Sequence, residues 1–364
     1  MSDWQESTLG QVCELYQPKT ISTSELVIDG KYPVYGANGV IGKYDEFNHA
    51  EPQLLITCRG ATCGTVNFSQ PNSWITGNAM VVRPKDGSIE LAYLGHLFRG
   101  GLDLTAVITG AAQPQITRQS LAPLKIRIPP LLEQRRIADI LDRADALRAK
   151  RRAALTRLDE LTQAIFIEMF GDPAANPKGF TRAMLSEVIE FTGGSQPPKT
   201  TFSFQSSPDV IRLVQIRDFK SDDNITYIPR KLARRFFEVD DVMIGRYGPP
   251  VFQIFRGLSG SYNVALIKAV PRGEALNDFI FYLLQESRLH AFVVDRSERT
   301  AGQSGVNLDL LEKYPAYLPP IALQQKFSLK IRLIERQKKA HQSSLTRMND
   351  CFASLQDRAF RGAL

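Results

Sequence analysis

A long internal repeat limits the folds that are open to this chain. Ala111-Ala-Gln-Pro-Gln-Ile-Thr117 leads into Pro129-Pro130, and Ala301-Gly-Gln-Ser-Gly-Val-Asn307 leads into Pro319-Pro320. The second copy follows the first by 190 residues at both places. A repeat of this length predicts two equivalent modules rather than a solenoid of short units. Two modules in one chain suggest a target that also has two parts.

Each proline pair opens a stretch with the spacing of an amphipathic helix. The first runs from Glu133 to Phe170 without glycine or proline, and Gly171-Asp-Pro173 supplies its stop signal. Apolar residues recur every seven positions, with a second stripe three positions further along, which predicts a coiled-coil seam. We assign to the two seams Ile137, Ile140, Leu147, Leu158, Leu161 and Ile165, and then Ile334, Leu345, Met348, Phe352 and Leu355. A helix on the order of 60 Å long needs a partner along its length, and the two seams suit each other.

The segments before the two helices have a mixed pattern of short strands and turns. Apolar runs broken by Gly, Asn and Pro predict strands, each set followed by one helix that packs on the sheet. The predicted strands are Tyr32–Tyr35, Gln53–Thr57, Ala79–Arg83, Ile211–Ile216, Asp241–Arg246 and Val264–Lys268, and the helices are Ala92–Phe98 and Phe279–Leu284. We therefore predict a mixed α/β fold with domains at 1–128 and 173–318 and spacer helices at 129–172 and 319–364.

Composition and charge favour a globular protein with an anionic partner. The chain has 364 residues, of which 43% are hydrophobic and 23% charged, which suits two domains with ordinary cores. The net charge of +7 favours nucleic acid as a partner but is too mild to prove it. Met1–Ser7 has no apolar core, and no stretch approaches 18 apolar residues. We therefore expect a cytoplasmic protein without a membrane span.

Cysteine and histidine are too few and too scattered to predict a metal site. Cys13, Cys58, Cys63 and Cys351 show no C-x-x-C spacing, and the four histidines are far apart in the sequence. We expect no metal and no disulfide framework. The thiols are interpreted as buried or half-buried groups in a reducing compartment.

Three segments of the sequence resemble catalytic motifs but do not match them. Gly193–Thr200 departs from the phosphate-binding loop because Pro198 replaces the second glycine and removes a backbone donor. Asp209 and Asp218-Phe-Lys220 resemble a nuclease pattern that is short enough to arise by chance. Gly248–Phe252 lacks the amide or carboxylate of an amino-methyltransferase motif. We therefore predict no catalytic centre.

The remaining polar residues suit the reading of a DNA duplex. An arginine fork matches guanine, and the amides of Gln and Asn match adenine in the major groove. Lysines are better suited to phosphates, which position a protein without specifying a sequence. The candidate DNA contacts are Asn38, Lys43, Arg59, Gln113, Gln115, Arg118, Lys199, Arg217, Arg246, Tyr247, Gln303 and Asn307. For each of these candidate residues, the alternative interpretation is an ordinary solvated side chain or a turn-forming residue.

The whole chain resembles the specificity subunit of a type I restriction-modification system. The residues that carry the resemblance are Thr117–Leu141 and Phe166–Asp172, and more faintly Leu311–Lys326 in the second copy. The second copy departs where Gln324-Gln-Lys326 replaces Glu133-Gln-Arg-Arg136. We therefore expect the two helices to differ from each other.

The resemblance implies two target recognition domains, each reading one half of a split double-stranded DNA sequence. Two antiparallel helices that form a coiled coil would hold them apart as a ruler. It also implies that catalysis belongs to partners: two modification subunits that methylate adenine N6 with S-adenosylmethionine, to which such complexes can add two restriction subunits that use ATP and Mg²⁺. No cofactor is expected in this chain. The alternative function is a scaffold that binds proteins, not DNA, through two α/β domains on a coiled coil.

Overall fold

The computed structural model describes residues 4–110, 113–173, 175–300 and 303–364, without the side chains of residues 298–300, 303 and 304. Ala111, Ala112, Ala301 and Gly302 of the repeated segments thus lie outside the described residues, as does the side chain of the candidate Gln303. The chain divides into two compact units. Unit 1 is Met1–Ala153 with Gln342–Leu364, and unit 2 is Ala154–His341. Each unit contains one α/β domain and part of each long helix.

Unit 1 is built on a four-stranded antiparallel sheet. Its strands are β1 (Gln5–Thr8), β2 (Cys13–Tyr16), β3 (Tyr32–Gly36), β4 (Gly39–Tyr44), β5 (Leu54–Thr57), β6 (Val66–Phe68), β7 (Trp74–Ile75), β8 (Ala79–Pro84) and β9 (Lys125–Ile128), and its helices are α1 (Leu9–Val12), α2 (Leu91–His96), α3 (Arg118–Leu121) and the start of α4 (Leu131–Phe170). The main sheet has the order β2-β8-β5-β6. Beside it lie a sheet β4-β3-β7, in which β3 and β7 are parallel, and the pair β1-β9.

Both faces of the main sheet of unit 1 are buried at strand β8. Successive side chains of a strand point to opposite sides. Met80 and Val82 face a core that includes Ile137 of α4, whereas Ala79 and Val81 pack in a second cluster with residues of β3 and β7. A near-continuous apolar run is what a strand with two buried faces requires.

Unit 2 has a larger set of strands. They are β10 (Thr181–Met184), β11 (Ile189–Gly193), β12 (Val210–Val214), β13 (Tyr227–Pro229), β14 (Phe236–Phe237), β15 (Val242–Gly245), β16 (Tyr247–Gly248), β17 (Gln253–Phe255), β18 (Gly260–Tyr262), β19 (Leu266–Pro271), β20 (Glu298–Thr300), β21 (Gln303–Gly305) and β22 (Pro315–Leu318). The helices that begin here are α5 (Leu185–Val188), α6 (Asn277–Leu283), α7 (Ser287–Asp295), α8 (Leu308–Glu312) and α9 (Ile321–Arg361). The sheets are β11-β19-β15-β17, β13-β12-β18-β14, β16-β21-β20 and β10-β22.

The two units share a frame and differ in what is added to it. The order β11-β19-β15-β17 repeats β2-β8-β5-β6, and the pair β10-β22 repeats β1-β9. The parallel pair β12-β18 repeats β3-β7. Unit 2 also contains the strand β14 and the three-stranded sheet β16-β21-β20. The predicted mixed α/β fold with an internal repeat is confirmed.

The prediction that a strand begins at Val264 is wrong by two residues. The backbone N–H of Leu266 donates to the carbonyl of Asn263 (3.0 Å), and that of Ala265 donates to Asn263 Oδ1 (3.1 Å). These bonds close a turn over the first two positions, so strand β19 starts at Leu266.

The predicted long helices are present and pack against each other within each unit. In unit 1, Arg148 of α4 lies 4.1 Å from the ring centre of Phe352 of α9. In unit 2, Phe166 packs on Phe327 with ring centres 5.7 Å apart. In unit 2, Lys338 of α9 also pairs with Asp159 of α4 (2.7 Å), so residue numbers rise along α4 as they fall along α9 and the paired segments are antiparallel. In the described parts of the chain, no helix is long and apolar enough to cross a membrane.

The seam assignment is wrong for two residues of the second stripe of α4, Leu147 and Leu161. Leu147 and Leu161 are 54% and 46% exposed. The stripe that turns inward lies four positions beyond the first one, and it includes Leu141, Arg148 and Thr162. The stem of Arg148 covers Phe352, and so a charged residue can occupy a half-buried position. The other predicted seam residues are buried or half-buried: Ile137, Ile140, Leu158, Ile165, Ile334, Leu345, Met348, Phe352 and Leu355.

Candidate nucleic-acid interface

The chain just after strand β5 is held against the segment that leads into α3. Arg59 and Gln115 form an antiparallel bridge. The N–H of Gly60 donates to the carbonyl of Pro114 (3.0 Å), and the N–H of Ile116 donates to that of Cys58 (2.9 Å). Gly60 has a φ of +85°, a left-handed conformation that favours glycine. The backbone of Arg59 is therefore fixed on both sides while its side chain remains exposed.

Two amide side chains lie on segments that are tied to the strand before Arg59. The side-chain amide of Asn67 donates to Asn38 Oδ1 (3.2 Å). The hydroxyl of Thr57 donates to the carbonyl of Ala37, which ties the β3–β4 turn to the end of β5. The structure thus brings together Asn38, Arg59 and Gln115 from three separate parts of the sequence.

The other candidates of unit 1 occupy different positions. Gln113 and Arg118 are exposed on either side of Gln115 along the chain. Lys43 is exposed on β4 opposite Pro33, several residues from the β3–β4 turn that carries Asn38. Lys43 is therefore not part of the cluster at Arg59.

Unit 2 repeats this backbone arrangement with other side chains. Tyr247 and Gly248 pair with Gly305 and Ser304. The N–H of Val306 donates to the carbonyl of Arg246 (2.9 Å), as that of Ile116 does to Cys58 in unit 1. The hydrogen bonds therefore align Tyr247 with Arg59, and Arg246 with Cys58.

Arg246 and Tyr247 form one surface. The Arg246 guanidinium lies 5.4 Å from the ring centre of Tyr247. A Cβ atom on Gly305 would come within 3.2 Å of that ring, so glycine leaves space for the tyrosine. Both Arg246 and Tyr247 are half-buried.

Other candidates in unit 2 have local roles or belong to other loops. Asn307 caps α8, because its side-chain oxygen accepts from the N–H of Leu310 (3.3 Å). Arg217 is exposed in the 3₁₀ helix Ile216–Phe219 and donates to the carbonyl of Asn224 (3.4 Å). Lys199 is exposed in the connection between β11 and β12.

A polar cavity in unit 1 escaped the sequence reasoning. It has a volume of about 530 Å³, and its lining includes Tyr16, His49, Trp74 and Arg83. The Tyr16 hydroxyl lies 2.8 Å from His49 Nε2. Burial, and then the charge of Arg83, lower the pKa of His49, and burial raises the pKa of Tyr16. These residues are far apart in the sequence and form no motif, so no pattern could have revealed them.

The cysteines differ in exposure more than the sequence predicts. Cys13 and Cys58 are buried and Cys63 is half-buried, but Cys351 is exposed on α9. The expectation of buried or half-buried thiols is thus wrong for Cys351, which stands on the outer face of that helix. Among the residues that the structure describes, no group of His, Cys, Asp and Glu is arranged to hold a metal ion.

Comparison with known proteins finds similarity to type I specificity subunits. Residues 1–157 match the family model of the type I restriction modification DNA specificity domain. The EcoprrI specificity subunit of Escherichia coli is 31% identical over 144 residues, which are 38% of this chain and 35% of that protein. A Mycoplasma pneumoniae protein assigned as a type I specificity subunit is 23% identical over 334 residues, 87% of this chain and 85% of its own. Residues 1–157 thus match a type I DNA specificity domain, and the likeness to type I specificity subunits extends over most of the chain.

The fold of this chain also agrees with a solved structure. The type I restriction-modification S subunit from M. genitalium aligns with a TM-score of 0.65 and 15% identity, over 99% of this chain and 96% of that one. At this identity the likeness concerns the fold alone. The match to the E. coli specificity subunit spans about a third of that protein's length. The resemblance predicted from Thr117–Leu141, which lies within the matched residues, is confirmed.

Proposed function

We propose that this chain binds double-stranded DNA sequence-specifically and that each unit reads one half of a split target. The observation that carries the proposal is the alignment of Arg59 with Tyr247: the same backbone bonds present different side chains. Base edges are read by side chains, whereas a shared frame fixes where these side chains stand. A repeated frame with different readers suits two different half-sites. The match of residues 1–157 to a DNA specificity domain supports the proposal.

The long helices would set the gap between the half-sites. Helix α4 has 40 residues and helix α9 has 41. Neither is interrupted by glycine or proline, and each packs on the other within both units. A pair of helices supported in this way can hold a fixed distance, which a flexible linker cannot do.

Methyl transfer would come from two modification subunits that carry S-adenosylmethionine, to which restriction subunits with ATP and Mg²⁺ can be added. The segment that resembles a methyltransferase motif supports this division. Phe252 is only 1% exposed, and the Gln253 side chain donates to the carbonyl of Pro250 (3.0 Å), which closes the loop on itself. A buried ring cannot stack on a target base.

The salt dependence of binding tests DNA recognition against the protein-scaffold alternative. The purified chain, together with its modification subunit, is titrated with a duplex pool at 50 and 200 mM salt. Phosphate contacts release counterions, so affinity should fall on the order of a thousand-fold if about six phosphates are neutralised. Absence of DNA binding, or affinity that does not change with salt, would contradict the proposal and favour the scaffold.

A further inference from the structure

We infer that Arg59 is a specificity-determining residue that reads a guanine in the half-site bound by unit 1. The inference rests on the proposed function and adds to it one residue and one base.

Most arginines of this domain are already engaged. Arg83 lies 5.0 Å from the ring centre of Tyr16 and 3.4 Å from a carboxylate oxygen of Glu14. Arg99 stacks on Phe68 (5.2 Å) and Arg127 on Trp4 (5.1 Å). The two arginines left in residues 4–110 and 113–128 are Arg59 and Arg118, both exposed. No hydrogen bond or ion pair of these two side chains is found within the described residues.

Of these two arginines, Arg59 has the more constrained backbone. The bridge to Gln115 holds it on one side, and the left-handed turn at Gly60 follows at once on the other. Arg118 is instead the first residue of the short helix α3. A fixed backbone reduces the conformational freedom that a side chain must lose on binding. A guanidinium presented in this way can direct two N–H groups at the O6 and N7 of guanine, the commonest specific contact of arginine in the major groove.

Amide side chains lie on the segments that adjoin Arg59. Asn38 and Asn67 are hydrogen-bonded to each other on the adjoining turn, and Gln115 lies opposite Arg59 in the bridge. Such amides can pair with adjacent bases and do not neutralise the guanidinium as a carboxylate would. The guanidinium therefore keeps its full hydrogen-bonding capacity for the base.

The counterpart in unit 2 has different chemistry. Tyr247 stands where Arg59 stands, and a phenol cannot form the paired N–H bonds of a guanidinium. Arg246 occupies the place of buried Cys58 and is stacked on Tyr247. A change at Arg59 should therefore alter one position of one half-site and leave the other half-site unchanged.

The test is the methylome of host cells that express this chain with its modification subunit. Arg59→Lys keeps the positive charge but removes the planar fork. The wild type should require a G·C pair at one position of one half-site. In Arg59→Lys the preference for that pair should fall by roughly ten-fold to a hundred-fold, with the other half-site and the gap unchanged. Arg143→Lys, an exposed arginine of α4 paired with Asp139, is the matched control and should leave the motif unchanged.

Competition binding decides the case in which Arg59→Lys abolishes methylation. The purified complex is challenged with duplexes that carry each of the four base pairs at that position. Equal affinity for all four supports the inference, whereas a retained preference for G·C, in cells or in competition, overturns it. A wild-type methylome without a split motif is a different result, because it would contradict the proposed function itself.

Discussion

The side-chain amides of Gln134 and Gln324 make the same three hydrogen bonds in their two units. Gln134 donates to the carbonyls of Pro129 and Ser88, both at 2.8 Å, and accepts from the N–H of Glu90 (2.8 Å). Gln324 donates to the carbonyls of Pro319 (2.8 Å) and Glu274 (3.3 Å) and accepts from the N–H of Leu276 (2.9 Å). Each glutamine thus joins the start of a long helix to the loop before the domain helix. This joint is one place where the repeat is conserved in sequence and in structure.

Replacing Gln134 by leucine should destabilise unit 1. Gln134 is 1% exposed, so the backbone groups that it satisfies would be left without partners in a buried position. We expect the free energy of unfolding to fall by about 2 kcal/mol or more, measured by urea unfolding. Gln119→Leu, on the exposed surface of α3, is the matched control and should change stability by less than about 0.5 kcal/mol. Equal effects of the two variants would contradict the role of the joint.

Two leucines of α4 should respond very differently to truncation. Leu141 is 0% exposed, whereas Leu147 is 54% exposed. Leu141→Ala should cost about 2–5 kcal/mol because it leaves a cavity. Leu147→Ala should stay within about 0.5 kcal/mol, because this side chain is outside the seam. Thermal unfolding of the two variants checks the difference. A larger loss of stability for Leu147→Ala than for Leu141→Ala would support the seam predicted from the sequence.

The thiols should react in an order set by burial. Burial raises the pKa of Cys13 from 9.0 to about 12 and that of Cys58 from 9.0 to about 11. At pH 8 the reactive thiolate should be only roughly one part in ten thousand for Cys13 and one in a thousand for Cys58. Labelling of the native protein with a thiol reagent should therefore show one fast site, removed by Cys351→Ser. Raising the pH toward 11 should bring in Cys58 before Cys13, and fast labelling of Cys58 at pH 8 would be contrary evidence.

The length of the helices should set the gap in the DNA target. Insertion of seven residues after Arg152 and seven after His341 preserves the heptad seam in both helices. Each helix becomes about 10 Å longer, which corresponds to roughly three base pairs at about 3.4 Å each. The preferred gap should widen by that amount, as read from the methylated sequences. A gap that stays the same would refute the ruler.

The fold was predictable where the sequence repeats itself. The prolines before both helices and the paired Gln134 and Gln324 stand 190 residues apart, and the structure gives each pair the same place. The seam was less predictable because apolar residues occur both three and four positions beyond the first stripe. Arg148 obscured the choice, since its charge suggests exposure while its stem packs on Phe352.

The candidate site was predictable in residue type but not in geometry. Arg59 and Gln115 were both selected as possible base readers, yet only the bridge between them shows that they share one surface. The alignment of Tyr247 with Arg59 also depends on backbone hydrogen bonds that no sequence pattern displays. His49 and Arg83 meet at Tyr16 through the fold of two sheets, and nothing in their spacing indicates it.

Selection of duplexes from a randomised pool tests the central claim most directly. The purified chain and its modification subunit are incubated with the pool at a fixed salt concentration, and the bound duplexes are sequenced. The account predicts two short conserved blocks that differ in sequence and are separated by a gap of constant length. A single continuous block, or no enriched sequence, would contradict it.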